Sequence, residues 1–201
     1  MISVLHINYS DSFGGAEQFS YDFVHSSILK CNLIVYKKTT TSNRVTELPK
    51  NILDHGILFL DKVLYKIGVR KQLKKIFFTG EVYNFTYRKL KNIKEYQQAD
   101  IIHLHNIHGG YFDLMALEKI ALDKPIVWTM HDMWGITGGE AHTFECDNYK
   151  RGVAKTPYLN VYPLNNPLID LRQYYLRKKK KLYNIISKRI VFVPASYWLE
   201  N

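Results

Sequence analysis

Cysteine is almost missing from this chain of 201 residues: there are two, Cys31 and Cys146, far apart in sequence. Two such thiols build no disulfide framework, which excludes a stapled secreted scaffold and points to a reducing cytosol. No run of about eighteen apolar residues exists, so the sequence offers no membrane-spanning helix. The start, Met1-Ile2-Ser3-Val4-Leu5-His6-Ile7, lacks the charged stretch and long apolar core of a signal peptide and reads as a first strand. Acidic side chains are the minority sign, 18 against 28 lysines and arginines. The net charge of +10 favours an anionic partner such as a phosphorylated substrate or a lipid surface. No nucleic-acid-binding module is recognisable, so charge alone makes no case for nucleic acid. Repeats, low-complexity segments and internal linkers are also lacking, and residues 1–201 read as one domain.

The chain is rich instead in apolar residues, 46% of the total, enough for a sizeable core. Continuous apolar runs at 2–7, 32–37, 100–104, 126–130 and 189–193 have the length and character of strands buried on both faces. Helical periodicity occupies 16–29, 57–78, 82–93, 113–122 and 167–187, and a long loop runs over 131–166. Strands alternating with helices at this spacing predict an α/β fold, a Rossmann-like parallel sheet with helices on both faces.

The first strand meets the first helix in Ser10-Asp11-Ser12-Phe13-Gly14-Gly15-Ala16-Glu17. Gly14 and Gly15 let a ligand approach the backbone at a helix N-terminus, or they form a tight turn with Ser12 or Asp11 as the cap. The loop is not G-x-G-x-x-G, and no acidic residue closes the second strand, so a dinucleotide fingerprint is absent.

Two strands end abruptly in polar, aromatic and glycine residues: Ile101-Ile102-His103-Leu104-His105-Asn106-Ile107-His108-Gly109-Gly110-Tyr111, and Ile126-Val127-Trp128-Thr129-Met130-His131-Asp132-Met133-Trp134. Ligands of open α/β sheets lie beyond the carboxyl ends of the strands, so these residues gather at one sheet edge. A neutral His131 can donate to a hydroxyl or a leaving oxygen with Asp132 orienting it. Trp134 and Tyr111 offer flat faces to a sugar ring, or serve as core aromatics. His103 and His105, two apart on one strand, share a side; with His108 and His131 they form a candidate zinc or iron set, or they pack within the sheet. Arg172, Arg177, Lys178, Lys179, Lys180 and Lys181 lie on the last long helix, with Leu168, Leu171, Tyr175, Leu182 and Ile186 on one face. Such a helix suits an anionic bilayer, as does the basic face of 57–78; otherwise both are ordinary surface helices.

Residues 99–112 and 125–134 resemble the N-terminal domain of glycosyltransferase family 4, retaining enzymes of the two-domain GT-B fold, in their bacterial capsule and exopolysaccharide subgroup of colanic acid transferases. Gly14-Gly15-Ala16-Glu17 fits the family's first βα loop, and Val193-Pro194-Ala195-Ser196-Tyr197-Trp198-Leu199 fits the segment that closes the domain. The resemblance implies transfer of a hexose from a nucleotide-diphosphate sugar to a saccharide acceptor, often lipid-linked, at the inner face of the membrane. It implies a catalytic role for His131 near the donor sugar, Gly14 and Gly15 near donor phosphates and acceptor, and Asn106, His108 and Trp134 shaping the acceptor pocket. The donor's own phosphate then receives the acceptor proton, and no metal or other cofactor is required.

Relatives of this type carry several cysteines after the His-Asp-Met-Trp segment, as in a structural metal site. Here Cys146 stands alone, with Glu140, Val153 and Thr156 near the other positions, so no structural metal is expected and the loop over 137–162 is held otherwise or is mobile. The family's C-terminal nucleotide-binding domain is not in this sequence, so this chain alone is expected to be inactive unless another chain supplies that half. A non-catalytic membrane- or partner-binding module, and a metal-dependent hydrolase on His103, His105, His108 and His131, are the alternatives.

Overall fold

The apolar runs pair into one six-stranded, wholly parallel sheet in the order β3-β2-β1-β4-β5-β6. The computed structural model describes residues 1–50, 63, 86–154, 156–158, 161–162 and 170–200. In chain order these contain β1 (Ser3–Ser10), α1 (Gly15–Ser26), β2 (Lys30–Lys37), β3 (Val45–Glu47), α2 (Thr86–Lys91), α3 (Lys94–Gln98), β4 (Ile101–Leu104), α4 (Ala116–Asp123), β5 (Ile126–Met130), α5 (Arg172–Ile186), β6 (Ile190–Pro194) and α6 (Tyr197–Glu200). The helix expected over 57–78 lies outside the described residues apart from Val63, and that over 82–93 is described only from Thr86. The three-residue β3 falls in a stretch whose sequence reads as loop.

Register sorts the strand residues by face. Leu5, Ile102, Ile126 and Ile190 stand side by side, as do Ile7, Leu104, Trp128 and Phe192. Leu90 of α2, Tyr96 of α3, Leu117 and Ile120 of α4, and Leu182 and Ile186 of α5 pack on that face. The opposite face carries Val4, Leu33, Val35 and Val45 beneath Val24 of α1. Because side chains alternate along a strand, one row on this second face reads Val45, Leu33, His6, His103, Val127 and Val191. Helices therefore cover both faces, as the sequence predicts, and imidazoles stand where aliphatic side chains are the rule.

The α5 helix removes two of the six cations named for a bilayer contact. Its apolar stripe of Tyr175, Leu176, Leu182 and Ile186 is buried in the protein, so the outer face is mainly basic, with Tyr174 and Ile185 as its exposed apolar residues. Arg172 and Lys179 are only 4% and 1% exposed and face inward. Lys178 is half-buried, and Arg177, Lys180 and Lys181 remain exposed. Leu171 is exposed at the helix start, while Leu168 lies outside the described residues.

The inward cations hold the loop after β5. Lys179 Nζ donates to the carbonyls of Trp134 and Thr137 and sits 3.7 Å from the centre of the Trp134 indole. Arg172 Nη1 donates to Glu140 Oε1 at 3.0 Å and to Thr156 Oγ1 at 2.9 Å, while its Nε and Nη2 grip both oxygens of Asp170. A buried ion pair and a hydroxyl thus join Glu140 and Thr156, two positions near which the resemblance leads cysteines to be expected. Gly138 makes the close approach possible, since a Cβ there would lie 2.6 Å from Cβ and 2.7 Å from the carbonyl oxygen of Arg172. Backbone cannot swing aside as a side chain can. Gly138→Ala is therefore expected to cost about 1–3 kcal/mol, read as a lower urea midpoint at unchanged slope.

Candidate functional site

Beyond the carboxyl ends of β1 and β4 the chain turns sharply. Gly109 holds φ at +96° and Gly110 at +79°, values that glycine alone adopts freely. That turn returns Tyr111 and Phe112 to the core, where each is 1% exposed. Tyr111 donates its hydroxyl to the Asn106 carbonyl at 2.7 Å. Trp134 is 3% exposed beneath Lys179. Neither ring presents a face to a sugar, which corrects that expectation: loops that fold back under a strand end bury their aromatics.

A recess of about 190 Å³ opens instead between the first βα loop and the end of β4, lined by Tyr9, Glu17, Asn106, His108, Gly109 and Tyr162. It is the scale of a single ring, below the pockets of about 300 Å³ and more that hold drug-sized ligands. Asn106 and His108 were legible from the motif; Tyr9, Glu17 and Tyr162 were not. Tyr162, 60% exposed, is the open aromatic wall. Burial raises its hydroxyl pKa, and so do the charges of Asp132 and Glu17.

His108 Nε2 pairs with Asp132 Oδ2 at 2.8 Å, and Asp132 Oδ1 accepts the Trp134 backbone N–H at 2.8 Å. Asp132 thus orients His108 and not His131. His108 and His131 together border a second, smaller space of about 10 Å³. The first βα loop also departs from expectation. Gly14 occupies the N-cap of α1 with no side-chain cap. Asp11 instead accepts four hydrogen bonds from the backbone and hydroxyls of Thr39 and Thr40. Burial would raise its pKa, but those bonds hold the carboxyl below its ordinary range. A Cβ on Gly14 would lie 2.1 Å from Glu17 Oε2, while Gly15 faces open space. The Glu17 carboxylate therefore covers the helix N-terminus where a phosphate was expected.

Four other imidazoles, those of His6, His103, His105 and His131, cluster on the α1 face. His6 Nδ1 lies 3.0 Å from His105 Nε2, and His105 Nδ1 lies 3.1 Å from His131 Nε2. His103 contacts Thr129 Oγ1 at 2.8 Å and stacks on His105 with ring centres 4.5 Å apart. Burial and then the neighbouring His103 bring the His6 pKa down to about 3. Burial and then His131 bring that of His103 to about 4. His105 falls well below its ordinary range, by burial and then the three surrounding histidines. His131 is also lowered by burial, against a partial upward pull from Asp132. All four are neutral at pH 7.

One nitrogen each from His6, His103 and His105 lies within 4.8 Å of the others, the one such metal-sized group among the described residues. Its geometry suits hydrogen bonds better than an ion. His6 and His105 are nearly coplanar, at 14°, whereas His103 lies over the face of His105 and engages Thr129 with its Nε2. His108, with its own partner Asp132, stands outside the group. The four-histidine hydrolase site of the sequence reading is thus not assembled, and His6, its unforeseen member, entered through strand register.

A parallel sheet with titratable and aromatic groups assembled at the carboxyl edge defines an α/β protein built to hold a ligand in its crevice. The chain belongs to Glycosyltransferase Family 4, whose sequence profile matches residues 62–193. Over 91 residues it is 39% identical to WcaC of Escherichia coli (strain K12), described as a candidate glycosyl transferase of colanic acid biosynthesis. The match takes in 41% of this chain and only 22% of that relative's length. No solved structure matches the chain significantly.

Proposed function

We propose that this chain is the acceptor-side half of a retaining hexosyltransferase, which moves a sugar from a nucleotide-diphosphate sugar to a lipid-linked saccharide in cell-surface polysaccharide synthesis. The recess bounded by Tyr9, Glu17, Asn106, His108 and Tyr162, at the carboxyl edge of the sheet in a family 4 chain, carries this reading. Tyr162 and Tyr9 supply ring faces, and the Glu17 carboxylate and Asn106 amide supply hydrogen bonds to acceptor hydroxyls. Glu17 repels anions from the α1 terminus, so the donor diphosphate relies on cationic groups of a C-terminal half. His131 stands beside the recess as a neutral imidazole directed at the donor sugar or leaving oxygen. Among the described residues no helix is long and apolar enough to cross a membrane. Peripheral attachment at the inner membrane face therefore rests on exposed charge such as Arg177, Lys180 and Lys181.

The test is transfer from UDP- and GDP-hexoses to a polyprenyl-diphosphate-linked sugar, with a family 4 C-terminal half supplied in the same or a separate chain. Transfer is expected only when both halves are present. His131→Ala is expected to lower kcat about 10²–10³-fold, the usual loss for one hydrogen-bonding group at a developing charge. Unchanged kcat would remove His131 from the chemistry. Absence of transfer across the whole panel would overturn the function.

A further inference from the structure

We infer that His6 and His105 form a hydrogen-bonded relay that fixes His131 in one neutral tautomer, with Nε2 turned inward and Nδ1 outward to the crevice. The proposal rests on the reading of His131 as the residue at the donor sugar, and it adds His6 and His105 as positioning residues.

The geometry is that of imidazoles joined edge to edge. The ring centres of His6 and His105 are 5.3 Å apart and those nitrogens 3.0 Å apart, at an interplanar angle of 14°. The difference is what two ring radii add when the rings lie end to end. His105 and His131 repeat the pattern, with centres 5.4 Å apart, nitrogens 3.1 Å apart and an angle of 29°. A neutral imidazole has one N–H and one lone pair, so each ring in such a row dictates the next. If His6 Nδ1 donates, His105 donates from Nδ1 and His131 must accept at Nε2. If His131 donates from Nε2, both protons run the other way. The two runs give His131 opposite tautomers, and the first is favoured because it leaves the buried, partnerless His6 Nε2 as a bare lone pair and not as an unpaired N–H, so that His131 accepts at Nε2 and carries its proton on Nδ1.

The inner end of the row is closed. His6 is fully buried, and its Nε2 has no hydrogen-bond partner among the described residues. His103 stacks across His105 and ends on Thr129, while the exposed Phe19 sets its ring edgewise against both His105 and His131. Water thus has little access to scramble the tautomers. A polar residue at position 6 serves no packing need, since β1 neighbours on this face and in this row are Val4 and Leu33.

The experiment is long-range ¹H–¹⁵N correlation of the full chain with ¹⁵N-labelled histidine, for the unaltered protein, His105→Leu and His6→Leu. The unaltered chain should give His131 two widely separated ring-nitrogen signals, those of one fixed neutral tautomer. In both variants these should collapse toward a common averaged position, with the backbone amide spectrum showing the sheet intact. His6→Leu only extends an apolar row, so it carries the test should His105→Leu fail to fold. Unmoved His131 signals in a folded His6→Leu chain would overturn the relay. So would one equivalent of added zinc chloride shifting His6, His103 and His105 together, which would make the cluster a metal site. These spectra judge the relay whether or not the protein transfers sugar, and the transfer assay judges the function whether or not the relay exists.

Discussion

Stability against urea is expected to hold level above pH 6.5 and to fall steeply between 6.5 and about 4. The folded pKa values of His6, His103 and His105 lie below the ordinary 6.5, so the unfolded chain takes up protons that the folded chain refuses. Their contribution to stability is complete above 6.5 and is lost as the pH falls toward the folded values. Each buried imidazole withdraws about 1.4 kcal/mol per pH unit across that window. His6 and His103 together, about two units below 6.5, remove about 6 kcal/mol, and His105 adds in the same direction, against a whole stability of about 5–15 kcal/mol for a typical domain. His6→Leu should make the slope shallower by roughly a third. A level curve down to pH 4 would mean that the imidazoles are not held neutral by folding.

The second large effect is expected at the loop after β5. Arg172 and Glu140 are paired with side chains 5% and 1% exposed. Arg172→Met leaves the Glu140 carboxylate and the Thr156 hydroxyl in that interior with the cation gone. Removing one partner of a buried pair costs about 3–5 kcal/mol, whereas replacing both with apolar residues is often neutral. Arg172→Met is therefore expected to lose that much, and the double variant Glu140→Leu/Arg172→Met to regain most of it. Urea unfolding of the four members of the cycle gives the coupling directly. A double variant as unstable as the single one would show that the pair is not what holds the loop.

How far the sequence speaks depends on the kind of residue. Strands β1, β2, β4, β5 and β6 were legible because a strand covered on both faces must be apolar throughout, and the run itself is the signal. Val45-Thr46-Glu47 was not, since three residues at a sheet edge need no such run. Asn106 and His108 reach the recess as the motif suggests. Tyr111 and Trp134 do not, because strand periodicity stops at the strand end and only the turn at Gly109 and the anchoring of the 131–143 loop decide which way those rings go. Glu17 carried a signal that went unread: a glutamate three residues after an uncapped N-cap commonly reaches back over the helix end. His6 carried another, as an imidazole inside an apolar run, like His103. Its partners could be known only from register, because His103 and His105 are supplied by a strand nearly a hundred residues later. For α5, charge density suggested a surface helix, but two of its cations are needed to close loop carbonyls and a carboxylate inside the fold.

The sheet order has a consequence in time. β1 lies in the middle of the sheet, between β2 and β4, yet β4 ends at Leu104. At a synthesis rate of about 5–20 residues per second, the nascent chain spends on the order of 5–20 s with one side of its first strand unpaired. During that interval the edge that will receive β4 is Val4, Leu5, His6 and Ile7. A histidine in the middle of that segment is a polar interruption in what is otherwise a sticky template for another chain. The same residue that ends as the innermost imidazole of the folded protein thus begins as a guard on its growing edge.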